Sequence, residues 1–182
     1  MILFFGPPGS GKSVQGKLLV ERNGWQWLST GALFRVSKDP EVLRHLATGE
    51  LIDDPLTNRV LDQALKSIDK SVEVVLDGYP RNLDQVRWLA NHLPLYQRKI
   101  ACLILFEVPR KELVSRLSGR GREEDTMDVI ERRLDIYKQK TKPVIDFYRQ
   151  DKTCIFIIDG TGSVEAVHER IQSAVKQCLK DK

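Results

Sequence analysis

Cysteine is scarce in this chain of 182 residues: there are three, at positions 102, 154 and 178, far apart and without a C-x-x-C spacing. That pattern indicates neither a zinc site nor a disulfide framework. No apolar run approaches the roughly 20 residues of a membrane span. No basic segment followed by a long apolar one marks a leader at the N-terminus. Internal repeats and low-complexity tracts are missing too. Charge of one sign never gathers into a block. The 29 Lys and Arg against 25 Asp and Glu leave a net charge of +4, and no aromatic-basic repeat offers a base-stacking platform. These absences point away from membrane and nucleic-acid partners and toward small phosphorylated substrates. Reduced thiols and the lack of a targeting segment lead to the expectation of a cytoplasmic protein. Cys102 and Cys154 lie in apolar runs and are expected to be small core residues.

What is present is an alternation of strands and helices in a chain of single-domain length. Short apolar runs at Ile2–Phe5, Val72–Leu76, Ile100–Phe106 and Cys154–Ile158 predict buried strands, with a weaker candidate at Trp25–Leu28. Helical spacing is predicted over Ser13–Arg22, Pro55–Ile68, Asn82–His92, Arg110–Leu117, Asp125–Arg149 and Val164–Leu179. Continuous apolar strands alternating with helices imply an α/β fold, a parallel sheet covered on both faces. Two stretches interrupt the alternation. Residues 29–54 are helical without a sheet strand, and the segment from Gly119 to Asp125 is short, charged and glycine-flanked. Both are expected to be insertions at the ligand edge, of the kind that build mobile lids.

Between the first strand and the first helix lies Gly6-Pro7-Pro8-Gly9-Ser10-Gly11-Lys12-Ser13, which fits G-x-x-x-x-G-K-[ST]. The strand–loop–helix context makes it a phosphate-binding loop. Its glycines let backbone N–H groups turn toward an anion, and the helix N-terminus adds its positive dipole end. Lys12 is expected on the β- and γ-phosphates of a nucleoside triphosphate. The Ser13 hydroxyl is expected on Mg²⁺.

A carboxylate, Asp77, ends the strand Val74-Val75-Leu76, where phosphate-loop proteins place an acid that holds Mg²⁺, partly through water. Gly78-Tyr79-Pro80-Arg81 follows, and Arg81 offers a fork suited to phosphate. Gln85, one helical turn on, carries both a donor and an acceptor for reading a base edge. Leu28-Ser29-Thr30-Gly31-Ala32-Leu33-Phe34-Arg35 adds hydroxyls and another arginine. Arg116, Arg120, Arg122 and Arg133 gather about the charged insertion, Arg116 and Arg120 one helical turn apart.

Taken in order, these motifs resemble the adenylate kinase family of nucleoside monophosphate kinases. The resemblance runs nearly end to end: the phosphate loop, L-S-T-G-x-x-x-R, G-E-L-I-D-D, L-D-G-Y-P-R-N-x-x-Q, R-L-S-G-R, R-x-x-D with R-R, and D-G-T-G. It implies a phosphate-loop sheet domain over 1–182, a monophosphate-binding insertion at 29–54 and a short lid at 119–129. It implies reversible, Mg²⁺-dependent phosphoryl transfer from ATP to AMP. On the ATP side it implicates Gly9, Ser10, Gly11, Lys12, Ser13, Val14, Arg116, Arg120 and Gly162. On the AMP side it implicates Thr30, Arg35, Glu50, Leu51, Ile52, Gly78, Tyr79, Pro80, Arg81 and Gln85. Arg122 and Arg133 close on the phosphates, and Lys12, Arg81, Arg120, Arg122 and Arg133 carry the chemistry. Short-lid members are typically monomeric and have no zinc cluster.

The chain departs from the family in two places. Lys12-Ser13-Val14 stands where the family has K-G-T, and Ala32 replaces the Asp of S-T-G-D. Those changes keep a catalytically weak nucleotide-binding relative in view. Thr30 and Gln85 resemble AMP-selective members, whereas Asn82 resembles the UMP/CMP kinases. A small-metabolite kinase shares the loop but does not account for D-G-Y-P-R with its later Gln. A nucleic-acid-dependent ATPase has only the basic net charge in its favour.

Overall fold

The computed structural model describes residues 1–180. Five strands form one parallel sheet: β1 (Ile2–Phe5), β2 (Gln26–Ser29), β3 (Val74–Asp77), β4 (Cys102–Glu107) and β5 (Ile155–Asp159), ordered β2-β3-β1-β4-β5. β1 sits at the centre, pairing Ile2 with both Val75 and Cys102. The chain lays β2 and β3 on one side of it and then crosses to β4 on the other. Winding therefore reverses at β1, and the strand ends there open a crevice, the usual ligand position in such sheets.

Alternate residues of each strand face opposite layers. Leu3, Phe5, Leu76, Leu103 and Leu105 pack with Leu61 and Leu65 of α4 (Asp54–Ser67), Val86 and Leu89 of α5 (Leu83–His92), and Val144, Ile145 and Tyr148 of α8 (Lys142–Gln150). Ile2, Phe4, Val75, Ile104 and Phe106 pack with Leu19 of α1 (Lys12–Asn23) and with Val167, Ile171 and Val175 of α9 (Val164–Lys180). Every β1 and β3 residue is buried, so these strands show apolar runs and no alternation of apolar with polar residues.

The insertion carries α2 (Thr30–Arg35) and α3 (Pro40–Thr48), held to α4 by Phe34, Val42 and Ile52. α6 (Arg110–Ser118) and α7 (Met127–Ile136) pack through Leu113, Leu117, Ile130 and Leu134 and frame the charged segment between them. The predicted helix over 125–149 is divided: a π turn at Tyr137–Thr141 separates α7 from α8. Pro143 lacks the N–H that would donate to the Gln139 carbonyl, which explains the local change of winding.

Two further expectations are corrected. Cys154 is exposed, because β5 begins only at Ile155 on the sheet edge; Cys102 and Cys178 are the buried cysteines. Arg116 and Arg120 are not one turn apart on a helix, because α6 ends at Ser118 and Arg120 lies in the following turn. Among the described residues no helix is long and apolar enough to cross a membrane.

Candidate functional site

A cavity of about 560 Å³ opens at the carboxyl ends of β1 and β3. The loop after β1 forms one wall. Gly9 has φ +83°, and a Cβ there would stand 2.9 Å from Leu117 Cγ and 3.0 Å from the Leu113 carbonyl. Only glycine lets this backbone lie against α6. Gly11, at φ +94°, turns the chain into α1. The Lys12 ammonium donates to the carbonyls of Gly6 (2.7 Å) and Pro7 (2.8 Å) and to Ser10 Oγ (3.2 Å). Burial pushes its pKa down to about 8. Asp77 opposes that shift, and Arg81 and Arg120 add to it.

Ser13 Oγ donates to Asp77 Oδ2 at 2.9 Å. Two oxygen donors thus stand together at the mouth of β3. Magnesium takes oxygen ligands, one or two from carboxylates and others from substrate phosphates and water, and this pair fits that chemistry.

Thr30, Gly78 and Arg81 form the opposite wall. The Gly78 carbonyl accepts from Thr30 Oγ1 at 2.9 Å and from Arg81 Nε at 2.7 Å. Burial pushes the Arg81 guanidinium below its ordinary range; Asp77 opposes this, while Arg35 and Arg133 reinforce it. The Gln85 side chain is buried and lines the cavity. Its Oε1 accepts from the Arg81 backbone N–H at 2.7 Å, and its Nε2 donates to Asp54 Oδ1 at 2.7 Å. Tyr79 OH donates to Asn58 Oδ1 at 2.6 Å beneath it.

The charged segment supplies the roof. Arg120 is bidentate on Asp125, at 2.7 and 2.6 Å, and Arg133 reaches the same carboxylate at 2.9 Å. Arg133 also donates to the Leu46 carbonyl at 3.0 Å, so α7 and α3 meet. Glu124 lies 3.4 Å from Arg35, 3.7 Å from Arg133 and 3.9 Å from Arg122. Arg116 donates to Glu112 and to the Gly160 carbonyl.

The residues expected to bind ATP, AMP or Mg²⁺ border this one space. Gly9 through Val14, Thr30, Arg35, Glu50 through Ile52, Asp77 through Arg81, Gln85, Arg116, Arg120, Arg122, Arg133 and Gly162 line it together. Lys12 and six arginines make the lining strongly cationic, which suits a polyanion. Sequence reasoning missed other members. Thr141 donates to the Arg81 carbonyl at 3.2 Å, and Gln15 donates to the Val164 carbonyl at 2.8 Å. Glu124 and Asp54, which do not line the cavity but bind Arg35 and Gln85 that do, were missed as well. Pro143 hinted at a helix irregularity near Thr141; Asp54 ends the G-E-L-I-D-D motif, which gives no sign of its partner Gln85.

Comparison with known proteins adds a second line of observation. The family model for adenylate kinase matches residues 4–153. The adenylate kinase of Mycolicibacterium vanbaalenii is 37% identical over 180 residues, covering 96% of this chain and 98% of that protein. That of Kocuria rhizophila is 39% identical over 186 residues, covering 97% and 98%. That of Prochlorococcus marinus is 39% identical over 180 residues, covering 96% of each.

Proposed function

The chain belongs to the adenylate kinase family, and from that premise we propose how its cavity divides between two nucleotides. The enzyme transfers a phosphoryl group reversibly from ATP to AMP, giving two ADP. In this division the loop Gly9–Val14, Arg116, Arg120 and Gly162 take ATP. Thr30, Arg35, Glu50–Ile52, Gly78–Arg81 and Gln85 take AMP. Residues 29–54 form the insertion that holds AMP, and 119–129 form the short lid. One cavity lined by Lys12 of the glycine loop and by six arginines is the observation that carries the reading.

An oxygen of the AMP phosphate attacks the γ-phosphorus in line, and the bond from that phosphorus to the β-bridging oxygen breaks toward ADP. Such a transition state asks the protein for positioning and charge stabilisation more than for covalent chemistry. Lys12 meets the transferred group. Arg81, Arg122 and Arg133 meet its equatorial oxygens from the AMP side, and Arg120 from the ATP side. Closure of the roof excludes water, which would otherwise accept the phosphoryl group. Ser13 and Asp77 would hold Mg²⁺, which when bound neutralises phosphate charge. A monomeric, cytoplasmic enzyme belongs to the same proposal, on the resemblance to short-lid members.

The alternative preference for UMP or CMP loses its one support. Asn82 caps α5 by accepting from the Gln85 N–H at 2.9 Å and gives its Nδ2 to Asp54. Its role is accounted for without a pyrimidine. The test offers purified protein, Mg²⁺ and ATP to each monophosphate in turn. Rapid ADP formation with AMP is the expected result, and absence of turnover with every acceptor would overturn the proposal. Gln85→Asn should reduce the preference for AMP over CMP.

A further inference from the structure

Gln85 is held by two partners of opposite and fixed polarity. The Arg81 backbone N–H can only donate, and it faces Gln85 Oε1 at 2.7 Å. The Asp54 carboxylate can only accept, and it faces Gln85 Nε2 at 2.7 Å. A carboxamide is nearly symmetric in shape, so its orientation is decided by such partners. Turned over, Gln85 would set its oxygen against a carboxylate and its NH₂ against an N–H. Asp54 is itself fixed. Asn82 Nδ2 donates to both of its oxygens at 3.0 Å, and it occupies the first turn of α4, after the N-cap Asp53.

We infer that Asp54 is a positioning residue for base selection: it locks the Gln85 carboxamide in the orientation that accepts a 6-aminopurine monophosphate and rejects a 6-oxopurine. This deepens the reading of Gln85 as the base reader of the AMP side, and it rests on that reading. With its two internal bonds made, Gln85 keeps one Nε2 hydrogen and one Oε1 lone pair, side by side. Adenine offers the matching pair, an acceptor at N1 and a donor at N6. Hypoxanthine offers the inverse pair, a donor at N1 and an acceptor at O6, and would need the carboxamide reversed. Unpaired polar groups in a buried site discriminate strongly. Asp54 does not line the cavity, and its hydrogen bond to a lining side chain is the one to Gln85, so it acts on the base through that residue.

The test compares the full chain with Asp54→Asn, Asp54→Ala, Gln85→Ala and the double Ala variant. Steady-state rates are measured with AMP and with IMP at saturating MgATP, alongside thermal melts. Asp54→Ala should raise KM for AMP about tenfold, the worth of one charge-assisted hydrogen bond, with a smaller fall in kcat. Asn at 54 can donate as well as accept, so Asp54→Asn should narrow the AMP-over-IMP ratio of kcat/KM by about tenfold. In the Gln85→Ala background, loss of Asp54 should shift KM for AMP no further. An unchanged AMP-over-IMP ratio in Asp54→Asn, or an equal loss with and without Gln85, would overturn the inference and leave Asp54 as a staple between α4 and α5. A wild-type chain that does not phosphorylate AMP would overturn the functional reading beneath it.

Discussion

The Ser13 hydroxyl donates to Asp77 Oδ2 across 2.9 Å, joining the first turn of α1 to the last residue of β3. The bond spans two neighbouring central strands, since Phe4 pairs with Asp77 in the parallel register. It fixes two oxygens beside the phosphate loop, where Ala32 supplies none. The cation proposed to bind there would lean on Asp77 more heavily than one held by a second carboxylate as well. Asp77→Asn should raise the free Mg²⁺ needed for half-maximal rate by about tenfold or more, as expected for losing a charged ligand. Titration of the rate with Mg²⁺ at fixed ATP checks this, and Ser13→Ala should give a smaller shift in the same direction.

Lys12 sets an alkaline limit. Its pKa in the folded chain is about 8 against an ordinary 10.5, through burial first and then the positive charges of Arg81 and Arg120. The ammonium is therefore lost as pH rises through about 8, and kcat/KM for ATP should fall over that range, since this parameter follows the free enzyme. Stability moves the other way. Between about 8 and 10.5 the unfolded chain holds the proton and the folded chain does not, so the Lys12 contribution to stability rises with pH. The difference in Tm between wild type and Lys12→Met, followed across that window, isolates it.

Burial first, and then Arg35 and Arg133, disfavour the protonated form of Arg81, while Asp77 favours it. Such an arrangement serves the ligand at the expense of the fold. Arg81→Ala should lower kcat on the order of a thousandfold, the scale of an arginine that meets a transferring phosphoryl group. Stability should change by no more than about 1 kcal/mol. Near-normal kcat in this variant would remove Arg81 from the reaction.

The strands and the phosphate loop were legible because their signals are local. Met1-Ile2-Leu3-Phe4-Phe5 is apolar throughout, and the glycine spacing after it is a backbone requirement that Gly9 meets at φ +83°. Boundaries moved where turns compete for the same residues. Val72 was expected in β3, but its N–H donates to the Asp69 carbonyl, and the strand waits until Val74. What stayed hidden depends on distant partners. Asp54 meets Gln85 from 31 residues away, and Glu124 meets Arg35 from 89. Cys154 misled because an apolar run does not reveal whether its residues fall inside the strand or just before it.

Asp125 holds the roof together. Its side chain is 2% exposed, and it accepts from Arg120 and Arg133. Without it the two guanidiniums face each other, and Arg120 already disfavours the charged form of Arg133. Asp125→Ala should cost about 1–3 kcal/mol, below the figure for a fully buried pair because Arg120 reaches solvent. That corresponds to several degrees in Tm. Added ATP should raise Tm more in the variant than in wild type, since phosphate oxygens can take the place of the lost carboxylate. A variant that melts with wild type would show Arg120 and Arg133 to be independent of Asp125.

His168 gives the acid side of the profile. It is fully buried on α9, with Nδ1 at 3.2 Å from Gln15 Oε1 and Nε2 at 3.0 Å from Gln172 Nε2. A neutral ring that donates from Nδ1 and accepts at Nε2 satisfies both amides. A protonated ring would turn a second N–H toward the Gln172 NH₂. Burial lowers the pKa below 6.5, with Arg22 of α1 adding to the shift and Glu165 of α9 opposing it. The unfolded chain therefore takes up the proton first, and stability should fall as pH drops below 6.5. Glu165, held below 4.5 by its bond to Arg22, titrates in a separate and more acidic window. The same Gln15 donates to the Val164 carbonyl, and both line the cavity on the side proposed for ATP. Protonation should accordingly raise KM for ATP while KM for AMP holds. His168→Asn keeps the donor to Gln15 but does not titrate. It should melt lower at neutral pH and lose the slope in both Tm and KM for ATP, and an unaltered slope in this variant would assign the acid loss to other groups.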